Sequence, residues 1–136
     1  MKILQDIWIL SEAGIVLFHR IYDENFDDQL FGSLLSALNS FAEEVVKDGL
    51  SNFELQNKRF TILKKNRLIF IANSSNKVKE KKVIEELEEV IERFFNLYSP
   101  QMLENWDNDV SIFRRFEFEI EDSLEETIER FRKAFW

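Results

Sequence analysis

The run IWILSEAGIVLFHRIY, residues 7–22, decides the fold. Its first half belongs to an apolar segment, 3–10, rich in Ile, Leu and Trp, which favours a strand. SEAG at 11–14 reads as a turn, with Gly14 placed to take a positive φ. Residues 15–22 make a second strand. So short a connection permits only an antiparallel hairpin.

Working outward, the acidic stretch Asp23 to Asp28 suits a helix entry, because negative charge is favourable there. The helix runs to about Lys47 and stops at Asp48-Gly49, where Gly49 serves as the C-terminal cap. Segments 50–56, 59–64 and 67–73 follow, separated by Asn57-Lys58 and Lys65-Asn66. They read as a meander. Leu68 to Ile71 are all apolar, which suits a central strand covered on both faces. A long helix over 77–98 carries Val83, Ile84, Leu87, Val90, Ile91, Phe94, Leu97 and Tyr98 at helical spacing. Ser99-Pro100 ends it, and 101–108 form a connection with Trp106. A last helix spans about Val110 to Ala134, with Phe113, Phe116, Ile120, Leu124, Ile128, Phe131 and Phe135 as its stripe. The expected class is α+β. A five-stranded antiparallel sheet is sandwiched between helices in the order β-β-α-β-β-β-α-α, as one domain over 1–136 with its core in 1–98.

Composition narrows the function. With 45% hydrophobic and 32% charged residues, the chain has both a core and a solvated surface. One Pro and three Gly exclude long flexible linkers. The absence of Cys excludes disulfides and thiolate zinc sites, and fits a cytoplasmic protein. A net charge of −8 argues against nucleic acid as a partner. Two basic clusters stand out, Lys58 to Arg67 with Lys64 and Lys65, and Lys77, Lys79, Lys81 and Lys82. Both read as solvated turns or helix starts, and the second is suited to an anionic surface. The N-terminus does not read as a signal peptide, and no lipidation motif or spanning segment is visible. Membrane contact is therefore expected to be peripheral at most.

Catalytic signatures are missing. His19 has no partner His or Cys to build a metal or acid–base site. The glycines at 14, 32 and 49 are isolated, so no phosphate loop or dinucleotide fingerprint exists. Asp107 and Asp109 beside Asn108 faintly resemble a calcium loop, without its Gly and terminal Glu. No catalytic, cofactor-binding or metal residues are expected.

The predicted first helix carries the clue. With Leu30 at zero and 100° per residue, its apolar residues span about 160°. The other face holds Gly32, Ser33, Ser36, Asn39 and Ser40, where a solvated helix would carry Glu, Lys and Arg. Gly32, Ser36 and Ser40 lie in one row, and small residues in a row let another backbone approach. The face packs beneath a loop of its own domain, simply faces water, or meets a second protein. Segment 50–56, with Phe53 and Leu55, would be an adjoining edge strand free to pair with another chain.

The hairpin at 7–22 followed by FDDQLFGSLLSALNSFAEEV, 26–45, resembles the longin domains, which have a profilin-like fold. Residues 30–44 are similar to compact longin-like proteins encoded in archaea, and the likeness covers roughly 1–98. It implies a scaffold that pairs with a like or related domain through this helix and edge strand. It also implies contact with small GTPases or trafficking complexes. Partner-binding would then fall on Gly32, Ser33, Ser36, Asn39, Ser40, Phe53 and Leu55. A coiled coil or anchor of the kind found in the membrane-fusion longins is not expected. The alternative is a small-molecule sensor on the same fold.

Overall fold

The computed structural model describes residues 3–12, 15–20, 37, 52–55 and 58–120. Five strands appear: β1 (Ile7–Ser11), β2 (Val16–Arg20), β3 (Asn52–Leu55), β4 (Lys58–Lys65) and β5 (Leu68–Ser75). All pairings are antiparallel and the spatial order is β2-β1-β5-β4-β3. The apolar run Leu68–Ile71 thus lies in the middle strand, where both faces are covered.

The β1–β2 hairpin carries one extra residue. Ile9 faces Phe18 but Leu10 faces Val16, so Leu17 is inserted. The bulge turns Leu17 and Phe18 toward the same core. The β4–β5 turn has two central residues, Asn66 at φ 52° and Arg67 at φ 66°. Both are left-handed, as a tight hairpin with right-twisted strands requires. Arginine there bears a steric cost that glycine would avoid.

Strand 1 is shorter than expected. Residues 3–10 read as one strand, but the regular ladder begins at Ile7. Asp6 explains the break. Its backbone N–H donates to Asn73 Oδ1 at 2.8 Å, and Asn73 Nδ2 donates back to Asp6 Oδ2 at 2.7 Å. Both residues are buried. Only the Asp6 N–H is diverted to a side chain: Asn73 N still donates to Asp6 O at 3.1 Å and Gln5 N to Asn73 O at 3.0 Å, so Gln5 and Asp6 together face Asn73 as a bulge. β5 itself runs to Ser75, two residues beyond the predicted segment 67–73.

Helix α1 (Glu80–Leu97) buries Val83, Leu87, Val90, Ile91 and Phe94. They pack on Ile7, Ile9, Phe18, Phe70 and Ala72, one face of the sheet. The predicted connection 101–108 contains a short helix, α2 (Pro100–Glu104). Ser99-Pro100 does end α1, but it also starts α2. Ser99 Oγ accepts from Met102 N at 3.2 Å, and Pro occupies the first turn, where its missing N–H costs nothing.

The predicted last helix opens as a 3-10 helix, Val110–Arg115, and becomes α-helical as α3 (Phe116–Ile120). In a 3-10 helix side chains three apart eclipse, and Phe113 and Phe116 both enter the core that way. Leu124, Ile128, Phe131 and Phe135 of the expected stripe lie outside the described residues.

The second face of the sheet is equally apolar. Trp8, Leu10, Val16, Phe60, Ile62, Ile69 and Ile71 are buried there, and among the described residues only strand side chains build this cluster. The helix predicted before Lys47 lies outside the described residues, apart from Ala37, which is helical and exposed.

Candidate partner-binding surface

β3 is the last strand of the sheet on its side. Its inner edge pairs with β4 in the register Asn52↔Thr61, Phe53↔Phe60, Glu54↔Arg59 and Leu55↔Lys58. An end strand presents its outer row of backbone N–H and C=O groups to whatever comes next.

Three contacts hold this edge strand in place. Phe53 stacks on Phe60, its cross-strand partner, with ring centroids 4.8 Å apart and planes 1° from parallel. Phe60 in turn lies 6.2 Å from the ring of Trp8. Asn52 Nδ2 donates to Glu80 Oε1 at 3.0 Å, tying β3 to the first turn of α1. Arg59 donates to the carbonyls of Val78 at 2.8 Å and Asn76 at 3.4 Å, and pairs with Glu54 at 3.6 Å. A strand held this way loses little further freedom when a partner pairs with it.

The sequence-based site residues divide accordingly. Phe53 is half-buried and spends one ring face on Phe60. Leu55 is in β3 opposite Lys58, but its side chain lies outside the described residues. Gly32, Ser33, Ser36, Asn39 and Ser40 lie outside them as well. Sequence reasoning missed Asn52, Arg59 and the Asp6–Asn73 pair. One signal was available: Asp6 is a lone carboxylate inside the apolar segment 3–10.

Among the described residues, no three His, Cys, Asp or Glu side chains gather as a metal site. Asp107 and Asp109 have other duties. Asp107 Oδ1 accepts from Asp109 N, and Asp109 Oδ1 accepts from Ser111 N, each at 3.0 Å. Hydrogen bonds from the Ser111 side chain and backbone hold the Asp109 carboxyl below its ordinary range. His19 is exposed on β2. Tyr98 donates its O–H to Ile112 O at 2.6 Å, and burial raises its phenol above its usual value, with Arg115 opposing and Glu119 reinforcing. Two grooves flank the β4–β5 turn. One, of about 560 Å³, has Leu63, Ile91 and Phe95 with Lys65 and Glu92 among its lining. The other, of about 540 Å³, includes Leu17, Arg67, Leu103 and Trp106. Both open at the surface and have charged rims, unlike an enclosed apolar ligand site. No helix among the described residues is long and apolar enough to cross a membrane.

A family model described as the first longin domain of FUZ, MON1 and HPS1 matches residues 5–130. The chain belongs to that family. The match extends beyond the 1–98 over which the sequence resembles longin domains. No curated protein matches this longin domain. Among solved structures it is similar to the MglB protein of Myxococcus xanthus, at 13% identity and a TM-score of 0.52, over 68% of this chain and 84% of that one. A Roadblock/LC7 domain from Streptomyces avermitilis aligns at 14% identity and a TM-score of 0.53, over 68% and 86%. The gliding protein MglB of Thermus thermophilus aligns at 9% and 0.51, over 59% and 67%. These likenesses show the fold. The longin-type class expected from the sequence, α+β with a five-stranded antiparallel sheet, is the class of this domain.

Proposed function

We propose that this longin domain is a non-catalytic cytoplasmic scaffold. It pairs with a second copy, or with a related domain, through β3 and the predicted helix face of Gly32, Ser33, Ser36, Asn39 and Ser40. The pair recruits or regulates a small GTPase in a trafficking-type complex. The observation that carries this reading is the position of β3 at the end of the sheet, pinned by Phe53, Asn52 and its ladder to β4. Backbone pairing across that edge supplies affinity, and the flanking side chains set register and choice of partner. Membership of the longin family supports the scaffold role.

The test is the mass in solution by light scattering across a dilution series, with wild type and Ser36→Arg. A wild-type dimer that dissociates on dilution, and a folded monomer for Ser36→Arg, are expected. An unchanged mass in the variant would remove the helix face from the interface. The same instrument, with small GTPases of the same genome loaded with GDP or a GTP analogue, tests the second half. Nucleotide-dependent complex formation is expected. A monomer indifferent to every GTPase overturns the proposal.

A further inference from the structure

Lys77, Lys79, Lys81 and Lys82 fall within six residues and all are exposed. Among the described residues none of the four is in an ion pair. They stand at the start of α1, where the helix dipole already places positive potential and acidic residues are favoured. Lys79 is the N-cap and no side chain caps the helix there. The single acid of the first turn, Glu80, accepts from Asn52. Arg59 reaches the same corner and holds the loop through the carbonyls of Asn76 and Val78. A rigid basic corner has thus been built on a chain of net charge −8. Among the described residues, no carboxylate pairs with its four lysines.

We infer that this corner docks on a bilayer bearing anionic phospholipid. The four charges are lysines, which act as point charges and not as the planar forks that read a particular carboxylate or phosphate geometry. No aromatic residue lies between Lys77 and Lys82 to stack a base, which disfavours single-stranded nucleic acid.

The rest of α1 fixes how the domain stands. Lys81 and Lys82 lie within about 60° of the pole opposite the buried stripe of Val83, Leu87, Val90, Ile91 and Phe94. Farther along, that outer face is acidic, with Glu85, Glu88, Glu89 and Glu92. Lying flat, the helix would press these carboxylates onto an anionic surface. Standing on its N-terminus, it lifts Glu88, Glu89 and Glu92 about 10 to 17 Å above Lys81, past a Debye length of roughly 8 Å, and of the four leaves only Glu85, about 6 Å up, within it. The docking is therefore end-on, and it does not depend on self-association.

The test is sedimentation of the full chain with phosphatidylcholine vesicles, with and without phosphatidylserine, at low and high salt. Wild type should bind only the phosphatidylserine vesicles and be released by salt. At about 1 kcal/mol per lysine near the surface, each lysine removed costs roughly fivefold in affinity. The variant K79Q/K81Q/K82Q should therefore bind about a hundredfold more weakly. A control, K64Q/K65Q, removes lysines from the far end of β4, six and seven residues beyond Lys58 or about 20 to 24 Å away, and should bind nearly as wild type. Circular dichroism melts of all three proteins should coincide. Wild type that ignores phosphatidylserine, a triple variant that binds undiminished, or a control that loses as much would each overturn the inference. Capture by a polyglutamate peptide without capture by vesicles would replace the lipid with an acidic protein.

Discussion

Phe94 and Phe53 are both aromatic residues of the sheet's packing, but their surroundings differ. Phe94 is on the buried face of α1, among Phe70, Phe95, Tyr98, Phe113 and Phe116, at ring separations of 4.9 to 5.8 Å. Most of these rings meet tilted or edge-on, as aromatic quadrupoles prefer. The cluster locks α1, the 3-10 turn and α3 onto one face of the sheet. Phe53 stacks on Phe60 at the end strand and remains half-exposed. Around it the connections are polar: Asn52 to Glu80, and Arg59 to the loop before α1. Stability is concentrated in the first region. The second is held firmly enough to present β3 as the end strand of the sheet.

Replacing Phe94 with Ala should break the first region outright. Loss of a fully buried Phe costs about 3–5 kcal/mol, which is a large part of a small domain's stability. Denaturant unfolding would show it as a lower midpoint at unchanged slope. A loss below about 1 kcal/mol would mean the aromatic cluster is not what holds the helices to the sheet.

Arg59→Ala tests the second region. It removes two hydrogen bonds from a charged donor and one ion pair, worth about 2 kcal/mol together, given that the side chain is half-buried. Amide exchange should quicken across 76–80 and leave α3 unchanged. Equal quickening in both places would erase the distinction between the regions.

Tyr98→Phe is the finer probe, with an expected loss of about 1 kcal/mol from the bond to Ile112 O. It also has a pH signature. Burial raises the folded-state phenol above its unfolded value near 10. The stabilising contribution is complete below pH 10 and is lost as the pH climbs through the folded value. Wild type should therefore lose stability in that alkaline window, and the Phe variant should lose less. Parallel alkaline curves for the two would contradict the assignment.

Much of this architecture was legible in the sequence because local pattern and tertiary demand agreed. The apolar run Leu68–Ile71 announced a central strand, and the spacing from Val83 to Phe94 announced the packed face of α1. The illegible parts depend on partners distant in sequence. Residues 3–6 look like strand until Asn73, 67 residues away, takes the Asp6 backbone. The predicted segment stops at Asn73, yet β4 pairs with Ser74 and Ser75 as well. Ser99-Pro100 reads as a stop signal, yet the same dipeptide is a helix start. Within the site, segment 50–56 read as an adjoining edge strand, and β3 does lie at the end of the sheet. The tie from Asn52 to Glu80 was not, because nothing local announces a contact across 28 residues.

Amide exchange of residues 52–55 at low and high protein concentration tests the scaffold reading most directly. Edge pairing between copies predicts that outward-facing amides of β3 exchange more slowly as concentration rises, while those of β5, already paired on both sides, do not change. Identical β3 exchange across a hundredfold range of concentration would contradict it.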